Sequence, residues 1–124
     1  MVTRFSFRSR NPQRDQMTDD ARKRRLIDMI DALRKEMASE RDGLARRRES
    51  VASDAAYLSE SMEDSASARM AGRLDALTEA LLHAERRMAM LARQIVFMDR
   101  LRGQAGELTG QGGDMPAKES EGQA

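Results

Sequence analysis

The chain of 124 residues contains no cysteine and no tryptophan, and only three phenylalanines and one tyrosine. The lack of cysteine excludes disulfides, thiolate catalysis and the usual structural zinc sites, and it fits a reducing compartment. With so few aromatic residues, the chain has few bulky side chains that could fill a compact globular core. The two prolines, Pro12 and Pro116, leave the whole stretch between them without this helix breaker. These absences favour a simple helical architecture.

Charge and hydropathy exclude further classes. The net charge is +1, so no global field attracts nucleic acid or a membrane surface. The longest apolar runs, residues 88–92 and 95–98, are far shorter than the ~20 residues of a membrane span. No apolar segment of a secretory signal follows the basic start of the chain. Charged residues at 35% and hydrophobic residues at 40%, rich in Ala, Leu, Met, Arg and Glu, are typical of long helices. We therefore expect a soluble, cytoplasmic protein, and the preference for arginine over lysine indicates a bacterial one.

Apolar residues recur at helical spacing in two long stretches. The first predicts a helix over about 18–62, with Thr18 as N-cap and heptad spacing from Ile30 onward. The second predicts a helix over about 65–102, with Gly103 as C-cap. The first stripe consists of Ile30, Met37, Leu44, Val51 and Leu58; the second consists of Met70, Leu74, Leu77, Leu81, Ala84, Met88, Leu91, Ile95 and Met98. Both stripes have the spacing of a coiled coil.

A segment rich in Ser and Asp separates the two stripes. Such residues favour caps and turns, so we place a turn at Glu63–Ser67. One continuous helix through Ser65 is the alternative, and Gly43 is a weaker candidate break. The turn sets a register in which Ile30 faces Met98 and Leu44 faces Ala84. The predicted fold is all-α, a long antiparallel helical hairpin forming a coiled coil.

Three polar residues disturb this register. Opposite Leu74, Leu81 and Met88 the first helix presents Asp54, Arg47 and Glu40, respectively. The stems of long charged side chains can lie over apolar surface with their charged ends in water. We therefore expect the hairpin to persist there with looser packing.

The two ends of the chain differ from the helices in composition. Residues 1–17 are interpreted as a flexible basic arm, and residues 103–124 as a disordered glycine-rich tail. In the arm, four arginines could contact an anionic partner, and two phenylalanines between them could stack on bases. These arginines are Arg4, Arg8, Arg10 and Arg14. An untethered terminus with incidental charge, or an arm for a protein groove, explains the same residues.

The helices carry more apolar surface away from the turn than one hairpin can bury. We predict that this open end binds another protein or a second copy, which would give a dimer with a four-helix core. The predicted contact residues are Leu26, Ile27, Ile30, Met90, Val96, Phe97 and Leu101.

No catalytic arrangement, phosphate-binding loop or metal-ligand spacing is present in the sequence. His83 is the single histidine, so we expect no enzyme activity, cofactor, metal or small-molecule substrate. The leading hypothesis is a coiled-coil adaptor or assembly factor. In size and architecture the chain resembles small helical-hairpin chaperones of flagellar and type III secretion, although no motif supports this, so an export chaperone masking an amphipathic helix is an alternative. A nucleic-acid-binding regulator that uses the basic arm is the least favoured.

Overall fold

A computed structural model describes residues 11–64 and 67–110, which form two α-helices packed as a hairpin. Helix α1 spans Pro12–Asp64 and helix α2 spans Ala68–Ala105. The break between them lies within the predicted segment 63–67, so the two-helix prediction is confirmed and the single continuous helix is wrong. Gly43 does not interrupt α1. No strand occurs in the part of the chain that the structure describes.

Helix α1 begins six residues earlier than predicted. The Asn11 side-chain oxygen accepts a hydrogen bond from the backbone N–H of Gln13 at 2.8 Å, which makes Asn11 the N-cap. Pro12 fits the first helical position because its missing N–H needs no partner there. Thr18, the predicted cap, lies inside the helix and donates its hydroxyl to the Arg14 carbonyl at 3.0 Å. Part of the predicted flexible arm, residues 12–17, is therefore helical, while residues 1–10 lie outside the described residues.

Helix α2 is also longer at its end than predicted. Its N-cap is Ser67, whose side-chain oxygen accepts the Met70 N–H at 3.2 Å. The helix continues through Gly103 to Ala105, which is only 5% exposed. Burial of Ala105 offsets the ~1 kcal/mol that a helical glycine costs. A turn follows to Gly110, whose positive φ of 81° suits glycine. Residues 103–110 are therefore not the start of a disordered tail, and the prediction for residues 111–124 lies outside the described residues.

Two compact units make up the chain, and both helices contribute to each. Of the described residues, unit 1 comprises 11–33 and 98–110, and unit 2 comprises 34–64 and 67–97. Unit 1 buries Ile30, Met98 and Ala105; unit 2 buries Ala84, Leu91 and Ile95. The burial of Ile30 and Met98 within one unit agrees with the predicted register. In unit 2, Leu44 and Ala84 line the same small cavity, which supports the register there.

The first helix faces the second with residues that lie one position later than the predicted ones. Asp54, Arg47 and Glu40 are exposed, whereas Ala55, Arg48 and Arg41 are half-buried. The reason is that inward-facing positions along a helix are spaced alternately by four and three residues. The next inward-facing residue after Leu44 is therefore Arg48. Arginine stems at these positions cover apolar surface while their guanidinium groups reach water.

The line along which the two helices contact each other is called the seam. Heptad letters describe the positions in the seam and on either side of it. Position d is Ile30 on α1 and Met70 on α2, with every seventh residue from each, and position a follows d by four residues. The residue directly after d is e, and the residue directly before a is g. In an antiparallel pair the e positions of both helices border one side of the seam, called the e flank, and the g positions border the g flank.

Candidate protein-binding surfaces

The predicted contact residues of unit 1 are not all available for binding. Ile30 is 2% exposed and belongs to the unit's own core, so it presents almost no surface here, and its role as a contact residue stays a prediction. Ile30 occupies position d, one of the two heptad positions whose side chains are buried between paired helices. Ile27 and Leu101 are half-buried, and Leu26 is 42% exposed.

The g flank of unit 1 carries exposed apolar side chains on α1. Leu26 and Leu33 occupy successive g positions, and Met29 lies between them with 59% of its surface exposed. Met29 and Leu33 were absent from the predicted set. The seven-residue spacing of Leu26 and Leu33 is the sequence signal that could have identified this row, because residues seven apart lie on one helix face.

The e flank of unit 1 is charged. Arg102 donates two hydrogen bonds to the Asp31 carboxylate, at 2.7 and 3.3 Å. These bonds, with the negative charges of Asp31, Asp28 and Asp99, raise the pKa of the Arg102 guanidinium above its ordinary value. A cavity of about 520 Å³ beside the pair is lined mainly by charged side chains, including Asp20. This flank therefore offers ionic contacts and little apolar area.

Three predicted contact residues of unit 2 are exposed on α2. Val96 and Phe97 are each 52% exposed and Met90 is 42% exposed. Their neighbours Leu91 and Ile95 are buried, so the exposed residues lie on the helix face turned away from the seam. Leu82, 47% exposed, shares the heptad position of Val96 and was absent from the predicted set. Leu82 lies outside the a and d positions, so the periodicity of the seam does not indicate it.

The g flank of unit 2 is closed by an ion pair. Arg87 donates hydrogen bonds from Nε and Nη2 to the two carboxylate oxygens of Glu40, at 2.8 and 3.0 Å. The hydrogen bonding lowers the pKa of Glu40 and raises that of Arg87. The predicted register places residue 88 opposite Glu40, so the observed partner differs from it by one position.

The e flank of unit 2 is an apolar groove with one ion pair. Successive e positions of α1 are Ala38, Ala45 and Ala52, which leave room beside the seam. A cavity of about 560 Å³ opens here, lined by Arg48, Glu49, Ala52, Thr78, Leu81, Leu82 and Glu85. Arg48 Nη1 lies 3.3 Å from the Glu85 carboxylate within this cavity.

The predicted basic arm can be judged only at Arg14. This residue lies in the first turns of α1 and is exposed. Arg4, Arg8 and Arg10 lie outside the described residues, so a shared role for these four arginines stays a prediction.

Neither a metal centre nor a membrane span is found within residues 11–64 and 67–110. No group of three or more histidine, aspartate or glutamate side chains there could hold a metal ion. His83 is exposed beside a cavity of about 250 Å³ that Leu44 and Ala84 also line. Neither described helix has an apolar stretch long enough to cross a membrane.

Comparison with known proteins gives no family for this chain. No protein-family model, no curated protein and no solved structure matches it. The surfaces themselves are therefore the basis for a functional assignment.

Proposed function

We propose that this chain is a cytoplasmic, non-enzymatic protein-interaction module, an adaptor or assembly factor built as an antiparallel coiled coil. It binds a partner protein or a second copy through apolar side chains that its own core leaves exposed. The observation that supports this most directly is the half-exposure of Val96 and Phe97 on the outer face of α2. Exposed Leu26 and Met29 supply a comparable surface in unit 1.

Burial of these side chains is a sufficient driving force for association. Fully burying a side chain of this size contributes roughly 1.5–3 kcal/mol, so covering the exposed half of each contributes about 1 kcal/mol. Within residues 11–64 and 67–110, the two helices have no further layer with which to cover them. Exposed apolar residues grouped on one face are typical of an interaction surface.

A capture experiment with the full chain tests the proposal. Tagged wild type is compared with the double variant Met90→Lys, Phe97→Lys, and an untagged copy is co-expressed to report self-association. We expect wild type to recover the untagged copy, a partner, or both at fixed ratio, and the variant to lose at least one of them. Ala56→Lys with Tyr57→Lys is the matched control, because it adds the same charge at two exposed positions of unit 2.

Recovery that is identical for wild type, variant and control would contradict the proposal. Circular dichroism must show equal helicity for the three proteins, so that loss of binding is not loss of folding. A single client at fixed ratio would identify an export chaperone, whereas recovery of the chain alone would identify a structural coiled coil.

A further inference from the structure

The two helices contribute unequally to the seam of unit 2. On α2, every a and d position from Leu74 to Ile95 is apolar. The d positions of α1 in unit 2 are apolar as well, but three successive a positions are Arg34, Arg41 and Arg48. All three arginines are half-buried, so their side chains take part in the contact between the helices. An a position normally holds an apolar side chain, and three arginines in successive a positions therefore need an explanation.

Arg48 illustrates how such a side chain can remain in the seam. It lines the cavity of the e flank beside Leu81, and it also lines the smaller cavity beside Leu44. Its Nη1 donates a hydrogen bond to the Glu85 carboxylate at 3.3 Å. Both members of this pair stay accessible to water, with 40% of the Arg48 side chain and 55% of the Glu85 side chain exposed. The Arg41 side chain is 41% exposed, so in both arginines the stem covers the seam while the charged group stays hydrated.

Further helices packed around this part of the seam would remove that water. In a four-helix bundle the a positions of every helix face the common core. Charged groups enclosed there lose their hydration, and a single ion pair seldom compensates for that loss. Polar side chains at a positions accordingly fix the number of helices in a coiled coil, at some cost in stability. The row of arginines is thus compatible with two helices and unfavourable for four.

We propose that Arg34, Arg41 and Arg48 restrict the seam of unit 2 to the two helices of one chain. A second copy whose helices enclosed this seam would have to bury these guanidinium groups. Association is therefore left to the outer faces, where Val96 and Phe97 are half-exposed. A four-helix core, predicted from the sequence for a dimer, does not form around this seam. The inference goes beyond the proposed function and does not depend on it, because it concerns residues inside the seam.

Replacing seam arginines by leucine in the full chain tests the inference. The seam variant combines Arg41→Leu and Arg48→Leu with Glu85→Ala, which also removes the carboxylate that would otherwise lose its partner. At a concentration on the order of tens of micromolar, we expect its average mass in sedimentation to rise about twofold over wild type, because an apolar seam can be shared by four helices. Its urea midpoint at low protein concentration should also rise, because leucine suits an a position better than arginine.

The matched control combines Arg46→Leu and Arg47→Leu with Glu79→Ala, which makes the same change in composition at exposed positions outside a and d. It should gain neither mass nor stability. Arg41→Lys with Arg48→Lys keeps the charges in the seam and should sediment like wild type.

Circular dichroism reports the folding of every variant. A seam variant that sediments like wild type, that loses helicity, or whose gain in mass is matched by the control overturns the inference. So does a lysine variant that forms the larger species. The capture experiment reports the proposed function separately. If wild type captures no protein while the seam variant gains mass, the inference stands and the proposed function fails; if capture succeeds and the seam variant gains no mass, the opposite holds.

Discussion

Units 1 and 2 have similar seams, but the flank that is charged in one unit is the apolar flank in the other. In unit 1 the e flank carries the Arg102–Asp31 pair, and the g flank carries exposed Leu26 and Leu33. In unit 2 the g flank carries the Arg87–Glu40 pair, and the e flank is the apolar groove. The seam repeat determines how each unit folds, while the flanks determine how much apolar surface it leaves exposed. Each unit thus has one flank dominated by charged side chains and one flank with more exposed apolar surface.

The largest effect we expect concerns the seam of unit 2. Leu91 is 0% exposed, so Leu91→Ala should lower the free energy of unfolding by about 2–5 kcal/mol through lost burial and a residual cavity. Leu82→Ala on the same helix should change it by less than about 0.5 kcal/mol while the chain is monomeric, because Leu82 is half-exposed. Urea unfolding at low protein concentration, followed by circular dichroism, measures both.

The same experiment with Ile30→Ala sharpens the comparison between units. Ile30 is 2% exposed, so a loss similar to that for Leu91→Ala indicates that both seams support the hairpin. A Leu91→Ala variant no less stable than Leu82→Ala would contradict the assignment of Leu91 to the core.

The seam was largely predictable from sequence, and the reason is its periodicity. The stripe from Met70 to Met98 repeats every three or four residues without a gap, and it places Leu91, Ile95 and Met98 at positions that the structure buries. The turn was predictable because Ser67 is of a residue type that commonly caps helices. The arginines Arg41 and Arg48 in the seam of α1 were not predictable from hydropathy, since their burial depends on the apolar stems alone.

Helix ends and flanks were harder to predict. Asn11-Pro12 is a strong helix start, but the basic composition of the surrounding residues favoured an arm. Gly103 resembles a C-cap, yet burial of Ala105 carries the helix past it. Ion pairs such as Arg87–Glu40 depend on a register accurate to one residue, which the predicted turn position does not provide.

Glycine-to-alanine substitutions should change the free energy of unfolding in opposite directions in the two units. Gly43 lies inside α1 in unit 2, and an added Cβ would meet only an Arg46 nitrogen at 3.9 Å. Gly43→Ala should therefore raise the free energy of unfolding by about 0.5–1 kcal/mol. Gly110→Ala in unit 1 should lower it by about 1 kcal/mol, because φ of 81° is unfavourable for alanine. Urea unfolding measures both, and stabilisation by Gly110→Ala would show that the turn does not need its positive φ.

The smallest effect on stability that we expect concerns the g flank of unit 2, where Arg87 and Glu40 form an ion pair. Hydrogen bonds from Arg87 lower the pKa of Glu40, so the pair stabilises the folded state at pH values above the ordinary glutamate pKa of about 4.3. This contribution is lost as the pH falls through the lowered pKa of the folded state. Glu40→Gln should shift the urea midpoint slightly downward at neutral pH and should match wild type well below the lowered pKa. Asp54→Asn is the matched control, an exposed carboxylate of unit 2 without an ion pair to the described residues, and should shift the midpoint less at neutral pH. An equal shift for both variants at neutral pH would mean that the Arg87–Glu40 pair contributes nothing specific, and that apolar contacts alone close this flank.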